Sequence, residues 1–220
     1  MEQWAISSED LRRLQIFGCT ETEGQQHAGS LRGLSLPELE NMAISLLKPS
    51  RVNHVLGCRD TAVELAEVWH ADPIDAARAA LLHDVTKALN SELQLALCHT
   101  YGVTPENFFV QNPKTLHALT GSLVADRIFG ENEAVVNAIY SHTTGKANMN
   151  TLEKIIYVAD YMEPNRDFPG VEQLRKLAYT DLDKALRLGL EMTLKMLNEQ
   201  GKQVSQASAD ALAWLIENEK

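Results

Sequence analysis

Residues 72–89 read DPIDAARAALLHDVTKAL, and this stretch decides the fold. Asp72 followed by Pro73 is an N-cap with proline in the first helical position, where the missing N–H is no loss. Ile74, Ala77, Leu81, Val85 and Ala88 then recur at helical spacing, so one stripe of the expected helix faces a core. That helix carries LLHDVTK and sets His83 beside Asp84 in its most apolar turn.

Similar start and stop signals extend in both directions. Ser35-x-x-Glu38, with Pro37 between, opens a helix that stops near Pro49, and another follows from about Arg51 to Trp69. Ser91 caps a short helix closed by Gly102, and Thr104-Pro105 begins a brief turn leading to a helix from about Pro113 to Phe129, closed by Gly130. A helix through Tyr140 gives way to a polar loop. Asn150-x-x-Glu153 opens the most hydrophobic helix, which must end near Pro164. Thr180-x-x-Asp183 starts a long helix to Gly201, and a last helix places Leu212, Leu215 and Ile216 on one face. Alternating runs of β-branched or aromatic residues are missing, so the expected fold class is an all-α helical bundle.

A chain of 220 residues buries a core without disulfide staples. Residues 1–46 read as an N-terminal extension, partly mobile and with one helix, because Thr20, Glu21, Thr22, Glu23, Gly24, Gln25 and Gln26 are polar in a way the rest is not. Residues 47–220 read as one domain. Thirty acidic against twenty basic residues give a formal charge of -10, a field that repels nucleic acid and anionic membranes. The densest cationic spot, Arg12 and Arg13, is balanced by Glu9 and Asp10. Cys19, Cys58 and Cys98 match no zinc or redox spacing, and the N-terminus lacks the features of a signal peptide. The expectation is a reducing, cytoplasmic location with no membrane or nucleic-acid partner.

Of the seven histidines, His27 lies in the polar arm, while His70 and His99 fall in the last turns of helices, where a helix dipole favours them structurally. His83 and Asp84 are different: in apolar surroundings they carry a large desolvation cost unless partnered. Asp160, within IIYVADYM, is a second such anomaly, and a buried unpaired carboxylate is rarely left charged. A divalent cation answers all three, and His54, His117 and His142 then complete an ordered ligand set. Six nitrogen and oxygen ligands without thiolate exceed one four-coordinate zinc, so two metals are the economical inference, with Asp84 between them.

RVNHVLG, LLHDVTK, LHALTG, SHTTG and above all the unbroken LEKIIYVADYMEPNRDFPGVEQLRKLA at 152–178 resemble the HD-domain metal-dependent phosphohydrolases, in particular their YqeK branch, the symmetrical bis(5′-nucleosyl)-tetraphosphatases of bacteria. The resemblance covers roughly Leu47 to the C-terminus. It implies a helical bundle, a two-iron centre and cleavage of diadenosine tetraphosphate to two ADP, with His54, His83, Asp84, His117, His142 and Asp160 as ligands. Manganese, zinc and cobalt also suit such a donor set.

Two cations lower the pKa of a shared water, so a bridging hydroxide is the expected nucleophile. Lys87, one turn beyond His83-Asp84, is the candidate for offsetting charge on the phosphate, making Asp84 and Lys87 the expected catalytic pair. Arg51, Arg166 and the loop Thr143, Thr144 and Gly145 are the candidate phosphate contacts. Tyr140, Tyr161 and Phe168 offer rings to a base but read equally well as core, so no base site is assigned. Another nucleotide or phosphate ester shares every ligand, and a metal-stabilised adaptor without catalysis is the third reading. The long helix from Asp181 to Gln200 offers a face to a second copy of the chain.

Overall fold

The computed structural model describes residues 6–19 and 31–219, and every regular element among them is helical. The helices are α1 (Ser8–Ile16), α2 (Leu36–Leu46), α3 (Pro49–Val68), α4 (Pro73–Leu82), α5 (Ser91–Thr100), α6 (Asn107–Gln111), α7 (Leu116–Val124), α8 (Glu133–Ser141), α9 (Thr151–Met162), α10 (Val171–Ala178), α11 (Leu182–Glu199) and α12 (Gln206–Glu217). A 3-10 turn at Pro113–Thr115 precedes α7, and a wide turn at Ala125–Phe129 follows it, ending at Gly130 with φ 67°. The all-α class read from the sequence is the class observed.

α9 is the axis of the molecule, lying against α3, α4, α8 and α11. Both capping boxes form: Glu38 reaches back to the Ser35 N–H, and Glu153 to that of Asn150. Leu152, Ile155, Ile156 and Ala159 of α9 join Val55, Ala62 and Leu65 of α3 and Ala79, Leu81 and Leu82 of α4 in one buried core. A smaller cluster of Cys98, Phe109, Leu116 and Leu119, with Tyr140 against it, closes the far end. No helix among the described residues is long and apolar enough to cross a membrane.

Several boundaries differ from the reading above, each for a local reason. The helix expected to carry LLHDVTK stops at Leu82. Val85, Lys87 and Leu89 then donate to Leu82, Asp84 and Thr86, tightening residues 83–89 into successive turns that turn His83 and Asp84 inward. Asn90 rather than Ser91 caps α5, and Asp181 rather than Thr180 caps α11, because each accepts the N–H three residues on. α10 lies in the stretch left without an element, and buries Val171, Leu174 and Ala178. Ile74 and Ile216 are exposed, and of the apolar face expected on α12 it is Leu215 that is buried, beside Ser208 and Ala211.

Within the segment read as an extension, Leu14, Phe17, Leu31, Leu39, Ala43 and Leu46 all lie in the main core. Arg13 is buried, donating to the carbonyl of Leu46 and pairing with Asp10, and the Tyr101 hydroxyl donates to the Phe17 carbonyl at 2.6 Å. The polar stretch at 20–26 and His27 lie outside the described residues.

Candidate metal centre

Five segments deliver the six residues that the sequence singled out. His54 comes from α3, His83 and Asp84 from the turn after α4, His117 from the first turn of α7, His142 from the end of α8, and Asp160 from α9. Gly121 eases the convergence: a Cβ there would sit 3.3 Å from the His83 carbonyl oxygen, closer than side chains ordinarily pack, so α7 lies tight against the His83 turn. His83 and Asp84 have no solvent exposure, and His54, His117 and His142 are also buried. The Asp160 side chain keeps 15% exposure, and this face opens into a cleft.

The ring orientations are fixed from behind. His83, His117 and His142 each donate Nδ1–H to the backbone carbonyl three residues earlier, Ala80, Lys114 and Ile139, at 2.6, 2.8 and 2.6 Å. His54 donates its Nδ1–H to Glu163 Oε1 at 3.0 Å. A carbonyl or carboxylate only accepts, so each neutral ring carries its proton on Nδ1 and turns a bare Nε2 lone pair inward. These lone pairs face one another: His117 and His142 approach to 3.1 Å between Nε2 atoms, and His54 and His83 to 3.4 Å.

Asp84 lies between the two pairs. Its Oδ2 is 3.5 Å from His83 Nε2 and 3.8 Å from that of His54, while Oδ1 is 3.2 Å from His117 Nε2. Asp160 Oδ1 lies 3.0 Å from His54 Nε2 and 3.8 Å from that of His83. Three overlapping groups result that have the compactness of a metal site: His54, His83 and Asp84; His83, His142 and Asp160; Asp84, His117 and His142. Facing lone pairs repel without a shared proton or cation, so a donor set of neutral imidazoles and carboxylates fits divalent cations.

Ionisation states agree with that fit. Burial, reinforced by His117 and His83, pushes the His142 ring well below its ordinary value, and burial lowers His83 as well. Burial alone would raise the Asp84 carboxyl, but His83, His117 and Lys87 outweigh it and hold it well below the usual range. Asp160 is held down against burial by His54 and His83. Cys58 behaves oppositely: burial, Asp160 and Asp84 push its thiol well above the ordinary value, so it offers no thiolate.

The remaining candidates divide. Lys87 Nζ lies 3.0 Å from Asp84 Oδ1 and Arg51 pairs with Asp84 Oδ2, so both guanidinium and ammonium reach the same carboxylate. Arg166 pairs with Asp160, through Nη2 to Oδ1 at 2.7 Å. Lys87, Thr143 and Arg166 line the cleft, and among the described residues the buried Thr143 hydroxyl has no hydrogen-bond partner. Thr144 and Gly145 turn away from it: the Thr144 carbonyl accepts from Ser208, and Gly145 faces Ala211 and Leu190. Tyr140 stacks edge-on with Phe109 in the small cluster, whereas Tyr161 and Phe168 line the cleft.

Glu163 is the residue missed by sequence reasoning. It is 1% exposed, holds His54 through Oε1, and accepts from the Asn165 N–H and side-chain amide through Oε2 at 2.7 and 2.8 Å. Its one sequence signal is a carboxylate immediately beyond a buried helix end, before Pro164.

Residues 51–165 match the HD domain family. The chain is 38% identical over 171 residues to a symmetrical bis(5′-nucleosyl)-tetraphosphatase of Bacillus subtilis, covering 77% of this chain and 91% of that one. A relative of the same name from Staphylococcus aureus is 30% identical, over 81% of this chain and 93% of its own. Among solved structures, a predicted HD superfamily hydrolase involved in NAD metabolism, from Clostridium acetobutylicum, superposes with a TM-score of 0.81 at 38% identity, covering 84% of this chain and 99% of that one.

Proposed function

Because the chain belongs to the HD-domain phosphohydrolases, in their YqeK branch, we propose that it hydrolyses diadenosine tetraphosphate symmetrically to two ADP at a dinuclear divalent-metal centre. The observation that carries the reading is the pair of facing imidazole pairs with one carboxylate oxygen of Asp84 turned to each. His54, His83, Asp84, His117, His142 and Asp160 hold the ions, most economically two, and iron is the metal of choice. Bound ions of this kind supply Lewis acidity toward phosphate oxygens and a water acidic enough to attack phosphorus near neutral pH.

The chain itself positions and neutralises. Lys87, three residues after Asp84, lies where its ammonium meets a non-bridging phosphate oxygen as charge builds. Arg166 presents a guanidinium whose Nη1 has no partner among the described residues. The unpartnered Thr143 hydroxyl is a further donor beside His142. Arg51, on the α3 side, neutralises Asp84 or a phosphate drawn to it. Symmetrical products follow from where the tetraphosphate is held, with attack on an inner phosphorus.

The test is incubation of protein purified without oxygen and restored with iron, with diadenosine tetraphosphate, followed by identification of the nucleotides. ADP alone is expected. Asp84→Ala should lose at least about 10³-fold in rate, more than the roughly 10–100-fold typical of removing a supporting group, together with bound metal. AMP plus ATP would refute the register of cleavage, and no product from a folded, metal-loaded sample would refute the substrate.

A further inference from the structure

The cleft extends well beyond the ligands, to a volume of about 790 Å³, within the range of small-molecule sites. The ligands His117, His142 and Asp160 line it together with the cations Lys87, Lys114 and Arg166, and its outer wall sets Tyr161, Phe168, Met192 and Met196 among the polar side chains of Lys195 and Glu199. Tyr161 follows Asp160 directly, so the wall begins one residue from the candidate metal centre.

Tyr161 and Phe168 rest partly buried against the main core, whereas the α11 side of the wall does not. α11 buries Leu182, Ala185, Leu186, Gly189 and Leu190 in its first half, and nothing in its second half is fully buried. Met192 and Met196 are one helical turn apart on the half that overhangs the cleft, and Met196 is 44% exposed. Across from them, Phe168 meets Tyr161 edge to face with centroids 5.3 Å apart, and the buried Tyr157 backs Tyr161 in a parallel stack. The Tyr161 hydroxyl is engaged by Thr193. The wall therefore offers ring faces and polarizable thioethers, and its one aromatic hydroxyl accepts from Thr193 at 3.3 Å.

We infer that this wall is the base subsite, taking the purine of a nucleotide whose phosphates run along Lys114, Lys87 and Arg166 to the metal centre. The inference rests on the proposed function for the direction of the phosphate chain. Recognition is by face and not by edge, because stacking is tolerant of base identity while hydrogen-bond readout is not. The site thus distinguishes purine from no base strongly, and adenine from guanine weakly.

The experiment is calorimetric titration of the metal-loaded protein with ADP, GDP and inorganic pyrophosphate, for the parent, Met196→Ser and Phe168→Ala. Met196 is exposed, so its replacement leaves folding intact even if the Phe168 variant does not fold. ADP should bind each variant about tenfold more weakly, with pyrophosphate within about twofold and the parent's ADP and GDP affinities within about threefold of each other. Unchanged ADP affinity, an equal loss for pyrophosphate, or a tenfold preference between ADP and GDP would overturn the subsite. The two readings fail separately: a parent that binds ADP through this wall yet leaves diadenosine tetraphosphate intact sinks the substrate and keeps the subsite. Cleavage by all three proteins with equal KM does the reverse.

Discussion

The two walls of the cleft are built on opposite principles. On the inner wall every imidazole is tied through Nδ1 to a carbonyl or to Glu163, and the residues are buried from five segments at once. On the outer wall Phe168, Met192 and Met196 are half-buried or exposed and are held by packing alone. Metal coordination needs lone pairs aimed to within a fraction of an ångström, which hydrogen bonds from behind supply. Stacking on a base needs area and adaptability, and a thioether that still moves serves it better than a fixed donor. The comparison predicts that changes to the inner wall act on turnover and metal, and changes to the outer wall on KM.

The largest effect that would sharpen this division belongs to Lys87. Lys87→Met keeps the length of the stem but removes the ammonium 3.0 Å from Asp84. Turnover should fall about 10²-fold, the usual cost of one charge-stabilising donor, while metal content stays near the parent's. Equal losses in rate and metal would make Lys87 a counter-ion of Asp84 and nothing more.

Glu163 comes next. Glu163→Leu leaves the His54 Nδ1–H buried without an acceptor and frees the ring to turn, so metal affinity measured by chelator competition should weaken about 10–100-fold. Glu163→Gln, which retains an acceptor oxygen, should recover most of it. A Leu variant with parental metal affinity would show that packing alone orients His54, and the inner wall would then resemble the outer.

The unequal legibility of the two walls has the same physical origin. A histidine, an aspartate or a capping box is anomalous in an apolar stretch, so His83, Asp84, Asp160 and the Asn150 box announce themselves one residue at a time. The tightening at 83–89 does not, because a run such as VTKAL satisfies a helix as well as a turn, and only the packing of α7 on that backbone decides. Met192 and Met196 at helical spacing look like core, and only the end of the buried stripe at Leu190 shows that they are not. Glu163 was hidden for a related reason: a carboxylate past a helix end is ordinarily solvated, and its burial against His54 comes from a contact 109 positions away.

Gly170 gives the smallest and most discriminating effect. Its φ of 98° is a conformation that a side chain resists, and a Cβ built there would lie 2.4 Å from Met192 Cε. Gly170→Ala should therefore cost about 1–3 kcal/mol in thermal stability from the backbone alone. The clash falls on the free tip of a methionine rather than on backbone, so Met192 swings aside while α11 stays in place. The outer wall then loses one contact face, and KM for the tetraphosphate should rise a few-fold, with kcat within about twofold of the parent because nothing that fixes an imidazole has moved. If kcat falls in step with KM, a push on the outer wall has reached the ligands through Tyr161 and its neighbour Asp160. The two walls would then be one mechanical unit rather than two.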